Sequence, residues 1–452
     1  MVVTAEAECS EVRAPVPTPG GVLPINPPSA PHGMPKVWLL AAVLAGLTLV
    51  EGFHEGGFWR PDALVATCVS GGVLALALAL VRLDAWSRIV VASFMCLAAW
   101  WLVRSLGTHS ASSFLPFGAS MLGFVTAFVC VSALGFHQRQ LAAQAIAGAG
   151  AIAALVGFVG LIWRWYPMAM PSQGLWRLSS TLTYADAIGA LLALCLLLAL
   201  ATRPEFWAMR VAVCLCAGGL IATQSRGPIL ALVCATLFVP LGRYRLFLVP
   251  LATGVALGAT AVASSGAVGG VPLLCVVLVA CVGIAMFVRP VFLSGVLRWR
   301  RPIVVVSVVI CALVVTAVLL RHQIELRVLA PSNGDRAVEW SAGFRQFSAS
   351  PWVGVGPDRI LQFRAPDGTY AHFVHNEYLQ LAADCGLIGV GFLVVAGVSL
   401  FRVARRTDVL SSCAVAALVC LAVVGGVDFD WHIPAIGLLG GAIAGLTTRR
   451  LT

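Results

Sequence analysis

Long apolar runs alternate with short polar breaks along most of the chain. They fall near 37–52, 63–81, 88–103, 114–136, 141–163, 185–201, 207–223, 228–242, 246–264, 271–288, 302–320, 386–402, 410–427 and 433–447. A helix needs about 20 mostly apolar residues to cross the hydrocarbon layer, so this pattern predicts membrane-spanning helices. The last run is short and those between 207 and 264 are closely spaced, which sets the expectation at about 12 to 14 spans. Internal glycines and prolines are tolerated in such helices. The predicted fold class is an all-α polytopic integral membrane protein.

Two stretches depart from the pattern. Residues 1–36 are polar and carry Pro15, Pro17, Pro19, Pro24, Pro27, Pro28, Pro31 and Pro35. Such a segment cannot bury a core and is expected to be a disordered tail. The other stretch is one long polar loop over 321–385. The expected organisation is a tail over 1–36, a transmembrane bundle over 37–320, the loop over 321–385, and C-terminal transmembrane helices over 386–452.

Composition sharpens this reading. Of 452 residues, 60% are apolar and only 11% charged, against roughly 25% charged in an average soluble domain. The mean hydropathy is +0.95. A soluble enzyme, a disordered chain and a disulfide scaffold are thereby excluded. The 14 cysteines include no Cys-x-x-Cys pair, which argues against a zinc site or a disulfide framework. The net charge of +10 would suggest nucleic acid in a soluble protein. Here the basic residues sit between apolar runs, where they orient helices.

Their distribution is uneven. With the N-terminus inside, the inner segments hold Arg13, Lys36, Arg82, Arg88, Arg139, Arg203, Arg210, Arg243, Arg245, Arg289, Arg298, Arg300, Arg301, Arg402, Arg405, Arg406, Arg449 and Arg450. The short outer loops hold only Arg60, Arg104, Arg164, Arg177 and Arg226. This bias predicts cytoplasmic termini and an extracytoplasmic loop. Acidic residues show the opposite trend: Glu51, Glu55, Asp62, Asp186, Glu325, Asp335, Glu339, Asp358, Asp367, Glu377, Asp384, Asp428 and Asp430 fall outside, so polar chemistry gathers on that face.

Inside the loop, Ser332 or Asn333 can cap a helix running to about Ser348, which Pro351 stops. Ala337, Trp340, Phe344 and Phe347 share one of its faces. A turn-rich strip follows, Pro351-Trp352-Val353-Gly354-Val355-Gly356-Pro357, and His375-Asn376-Glu377-Tyr378-Leu379-Gln380 opens a short helix that meets the next span at Gly386.

These segments closely resemble the signature of the O-antigen ligase family, which also includes O-antigen polymerases. The resemblance covers Asp335-Arg336 with Trp340, the strip, the His-Asn-Glu-Tyr-Leu-Gln segment, and Cys385-Gly386-Leu387-Ile388-Gly389. Gln224-Ser225-Arg226-Gly227-Pro228 looks like the family's Ser-Arg-Gly segment. Two positions depart from the family pattern. Thr181-Leu182-Thr183-Tyr184-Ala185-Asp186 stands where an Asn-Pro is often found, so little is expected of that loop or of Arg177 before it, and Asp384 stands for a more usual Glu.

The resemblance implies a GT-C-like, metal-independent glycosyltransferase without a cofactor. Its donor would be a glycan on undecaprenyl diphosphate, and its acceptor a hydroxyl of a glycan, lipid or protein at the outer face of the plasma membrane. Breaking the glycosyl–phosphate bond leaves charge on a diphosphate, and the planar fork of arginine suits that group. By motif position Arg226 and Arg336 are the diphosphate clamps. His375 is the base, because histidine accepts a proton near neutral pH. Asn376 is expected beside it at the substrate, although Asn376 and Glu377 also suit a capping and orienting role. Arg345, Arg359 and Arg364 are expected to draw in the anionic carrier. Ligase and polymerase are not separated at this level. A transporter of lipid-linked glycans is the remaining alternative, disfavoured because the polar residues gather on one face instead of lining a path.

Overall fold

An apolar chain in hydrocarbon satisfies its backbone as helix, and helix dominates the computed structural model. It describes residues 55–172, 174–266, 271–288, 333–357, 363–364, 370–371 and 373–448. The tail 1–36 and the runs 37–52 and 302–320 lie outside these residues. The helices are α1 (Arg60–Leu80), α2 (Ala85–Gly107), α3 (Phe114–Ser132), α4 (Phe136–Trp163), α5 (Ala185–Ala201), α6 (Trp207–Ala222), α7 (Arg226–Thr236), α8 (Leu241–Leu246), α9 (Leu248–Ser264), α10 (Val271–Phe287), α11 (Asn333–Ala349), α12 (Glu377–Val403), α13 (Val409–Gly425) and α14 (Pro434–Thr447). Among the described residues α1 to α4 and α12 are long and apolar enough to cross a membrane, and seven further apolar helices are shorter. The chain is an all-α, multi-pass membrane protein.

Three local findings go beyond the hydropathy pattern. The run expected as a span over 228–242 is divided. Its helix α7 has 11 residues, a rise of roughly 16 Å, and Pro240 separates it from α8 because proline cannot continue a helix. Two small antiparallel hairpins also appear, β1 (Ala169–Ser172) with β2 (Leu175–Leu178), and β3 (Phe363–Arg364) with β4 (Tyr370–Ala371). Their strands are too short to show an alternating pattern. Third, all of α14 is buried. Gly437, Gly441 and Gly445 let its backbone approach α3, and a Cβ at Gly441 would overlap the carbonyl of Phe124.

At the basic end of the bundle, several arginines bind the last carbonyls of helices. Arg139 donates to Ser132, Leu134 and Thr448, Arg210 to Met286 and Val288, Arg243 to Leu200 and Thr202, and Arg406 to Phe238. These carbonyls have no partner within their own helix and carry the negative end of its dipole. The basic bias read above as orientation therefore also caps helices.

At the opposite end the loop and the bundle are spliced together. Helix α12 breaks at Gly386 (φ 65, ψ −166), a conformation that favours glycine. The strip 351–357 fills the break. Val355 and Gly356 N–H groups donate to Ala383 and Asp384 (2.8 and 3.0 Å), and those of Leu387 and Ile388 donate to Pro351 and Trp352 (2.8 and 3.2 Å). Trp100 and Arg104 of α2 hold the splice through Cys385 and Gly354 carbonyls, both at 2.9 Å.

Candidate functional site

The turn from α6 to α7 presents Arg226. Gln224 adopts a left-handed conformation there (φ 55), and Arg226 is the exposed first residue of α7. It has no hydrogen-bond or ion-pair partner among the described residues. Ser225 precedes it at the N-cap position without capping the helix; its side chain bonds Asp186 instead. Arg177, on β2, donates through Nε to the carbonyl of Thr223 (2.8 Å) and through its terminal nitrogen to Asp186 (2.6 Å). The Gln224 side-chain amide donates to Trp176 (3.1 Å). On the other side Gly227 meets Val427, which a Cβ would approach to 2.9 Å.

Helix α11 supplies the next pair. Arg336 is half-exposed and its guanidinium lies 4.0 Å from the Asp428 carboxylate. One turn on, Glu339 is buried and its carboxylate lies 2.8 Å from Nδ1 of His375. The packed face of α11 thus carries Glu339 and Gly343, whereas Trp340 and Phe344 are exposed. His375 also has a positive φ, 48°; such backbone in a non-glycine residue persists only where the surroundings fix it. With Glu339 as acceptor, Nδ1 holds the proton and Nε2 is left as the basic nitrogen. Burial alone would lower the imidazole's affinity for a proton. The Glu339 hydrogen bond and the charges of Asp428 and Glu339 outweigh it, so the pKa lies above the usual 6.5.

The turn between α13 and α14 closes the site. Asp428 accepts from the Tyr184 hydroxyl (3.0 Å) and the Phe429 N–H (2.9 Å). Burial and the nearby Asp186 charge push its carboxyl up to about 7. Asp430 is fully buried and neither oxygen has a hydrogen-bond partner among the described residues. Burial, then the Asp428 charge, hold it protonated well above the ordinary carboxylate range. Phe429 is stacked between Phe373 (4.6 Å) and Tyr184 (5.1 Å), and His375 meets its ring edge-on at 5.2 Å. Glu377 binds the Trp431 N–H (2.6 Å) and the buried His432 (3.0 Å), tying α12 to this turn.

Two of the residues singled out by motif, Arg336 and His375, therefore meet around Asp428, whose carboxylate feels both charges. The Ser225-Arg226 turn joins them through Asp186, which is also within electrostatic reach of Arg336. Asn376 caps α12, accepting from the Leu379 N–H at 3.0 Å. Arg345 is exposed on α11, Arg364 lies on β3, and Arg359 lies outside the described residues. Glu339 and Asp428 were not singled out by sequence, and Arg177 was expected to contribute little. A signal for Glu339 existed in its spacing, one helical turn from Arg336.

Fold and site together define a multi-pass membrane protein with a charged, partly buried polar centre at one end of its bundle. A family model described as O-Antigen ligase matches residues 211–394, the part that runs from α6 through the loop into α12. Over these residues the chain is similar to that family, and the match supports the resemblance carried by the motifs. A search among curated proteins gave no match. That family's enzymes are glycosyltransferase-like and act on lipid-linked glycans in the membrane.

Proposed function

We propose that the protein transfers a glycan from undecaprenyl diphosphate to an acceptor hydroxyl, without a metal ion, at the extracytoplasmic face. The observation that carries this reading is the Glu339–His375 pair, set beside Arg336 and across from the Ser225-Arg226 turn. In this scheme Nε2 of His375 takes the proton of the acceptor hydroxyl. The acceptor oxygen forms the new glycosidic bond as the bond between sugar and phosphate breaks, and undecaprenyl diphosphate leaves with the electron pair. Arg226 and Arg336 stabilise the charge where it develops. The first turn of α7, whose N-cap side chain is engaged elsewhere, adds the positive end of a helix dipole on the same side. Glu339 orients His375 and supports the imidazolium that forms, as a carboxylate does behind a catalytic histidine.

Turnover tests the reading directly. The purified protein, given an undecaprenyl diphosphate-linked glycan with acceptors supplied one at a time and a chelator present, is expected to release the carrier. Glycan on a distinct acceptor marks a ligase, and a longer glycan on the carrier marks a polymerase. No carrier release with any acceptor, or release only with a divalent ion, would remove the scheme.

The orientation follows from the same reading, since the basic end and the site lie at opposite ends of the bundle. Single cysteines at the exposed positions Ser348, on α11, and Thr407, between α12 and α13, give the check in a background lacking reactive thiols. With any outer barrier permeabilised, an impermeant thiol reagent is expected to label the first and spare the second. The reverse pattern would place the site in the cytoplasm.

A further inference from the structure

Arg177 stands on a two-stranded hairpin remote in sequence from Arg226, Arg336 and His375, yet its side chain is only 13% exposed, and two of its three nitrogens are engaged beside the turn from α6 to α7. Nε holds the carbonyl of Thr223 and the terminal nitrogen holds Asp186, while Asp186 also takes the Ser225 side chain. Thr223 and Ser225 are the residues on either side of Gln224, whose left-handed backbone (φ 55) sets the direction in which α7 starts. Gln224 is bound in turn to Trp176, the neighbour of Arg177 on the same strand. The hairpin therefore grips this turn at Thr223 and Gln224, Asp186 of α5 holds Ser225, and Arg226 is the next residue.

A second consequence is electrostatic. Asp186 lies within reach of the charges of Arg336 and Asp428. Without Arg177 its carboxylate would stand uncompensated beside the site, as a competitor for the guanidinium groups that are to meet a diphosphate. A direct role of Arg177 on the donor is disfavoured by the same contacts, because Nε and one terminal nitrogen are committed to Thr223 and Asp186, which breaks up the two-pronged fork that a phosphate would need.

We infer that Arg177 is a positioning residue, which together with Asp186 aims Arg226 at the donor diphosphate and screens the site from Asp186. The inference rests on the reading of Arg226 as a diphosphate clamp. Misplacing a group by about 1 Å can cost about 10²-fold in rate, and that is the size of loss expected in kcat for Arg177→Ala, with KM changed little. Arg177→Lys should fall between the two, since one ammonium cannot serve both Thr223 and Asp186.

The decisive comparison adds Asp186→Asn to Arg177→Ala. Removing the exposed charge should restore about tenfold of the lost kcat, a coupling expected of residues in one network. A merely structural role predicts the opposite, a further loss with the second contact. The advantage of arginine over lysine at 226 should also shrink. Arg226→Lys is expected to cost about tenfold in the native background and much less in Arg177→Ala, where the fork is no longer aimed. Retention of a monodisperse elution profile in detergent shows that each variant is folded.

Full activity of Arg177→Ala, or no recovery on adding Asp186→Asn, or an equal cost of Arg226→Lys in both backgrounds, would overturn the inference and leave the clamp reading intact. Full activity of Arg226→Ala would instead remove the clamp reading, and this inference with it.

Discussion

Replacing His375 with alanine is expected to lower turnover by about 10²- to 10⁴-fold, the usual contribution of a general base, while the protein still inserts and folds. The pH dependence is the more discriminating readout. The base must be neutral, so kcat/KM falls as pH drops through the histidine's pKa. Because Glu339 and Asp428 raise that pKa above 6.5 against the effect of burial, the acid limb of the native profile should lie above 6.5. Glu339→Gln removes the carboxylate that favours the imidazolium. Its limb should move to lower pH, and its maximal rate should fall because the ring loses its orienting partner. His372→Ala is the control and should leave both rate and profile unchanged. Native turnover in His375→Ala, or an unmoved limb in Glu339→Gln, would show that the base is another group.

The arginines give the second large effect. Arg226→Ala and Arg336→Ala are each expected to lose most activity, about 10²- to 10³-fold by analogy with removal of one donor from an oxyanion site. Lysine should recover only part, since a point charge cannot reproduce two parallel hydrogen bonds. The two positions should differ in one respect. Arg336 faces Asp428 at 4.0 Å, so its removal also withdraws a charge that holds the Asp428 carboxyl down and should change the pH profile. Arg226 has no such partner among the described residues, and its loss should scale the profile without moving it. Near-native rates in both alanine variants would leave the diphosphate without a clamp.

Hydropathy made the helical class legible because a spanning helix must be apolar along most of its length. It misjudged the run at 228–242, since Pro240 interrupts a stretch whose composition stays apolar. The motifs brought out Arg226, Arg336 and His375, residue types that carry diphosphate and proton chemistry. What stayed hidden was mostly acidic. Glu339 sits on a helix whose sequence advertises Trp340 and Phe344 as its apolar face, yet those two are exposed and Glu339 faces inward. Asp428 and Asp430 lie in a short connection where acidic residues normally meet water. Only the packing of Phe373, Phe429 and Tyr184 around them turns that connection into a buried site. The hairpin carrying Arg177 has four residues per strand, too few for an alternating pattern to emerge.

The splice at Gly386 bears on how such a protein can be re-engineered. Residues 351–357 supply hydrogen-bond partners to 383–388 across the break, and a Cβ at Gly354 would collide with the backbone of Asp384 and Cys385 just as one at Gly386 would collide with Trp352 and Val353. Each segment is a mould of the other. A chimaera that exchanges the loop with that of a relative must therefore carry both non-contiguous pieces together as one cassette, with its seams before 351 and after 388. A crossover inside either piece would leave a kinked helix with no counterpart to complete it.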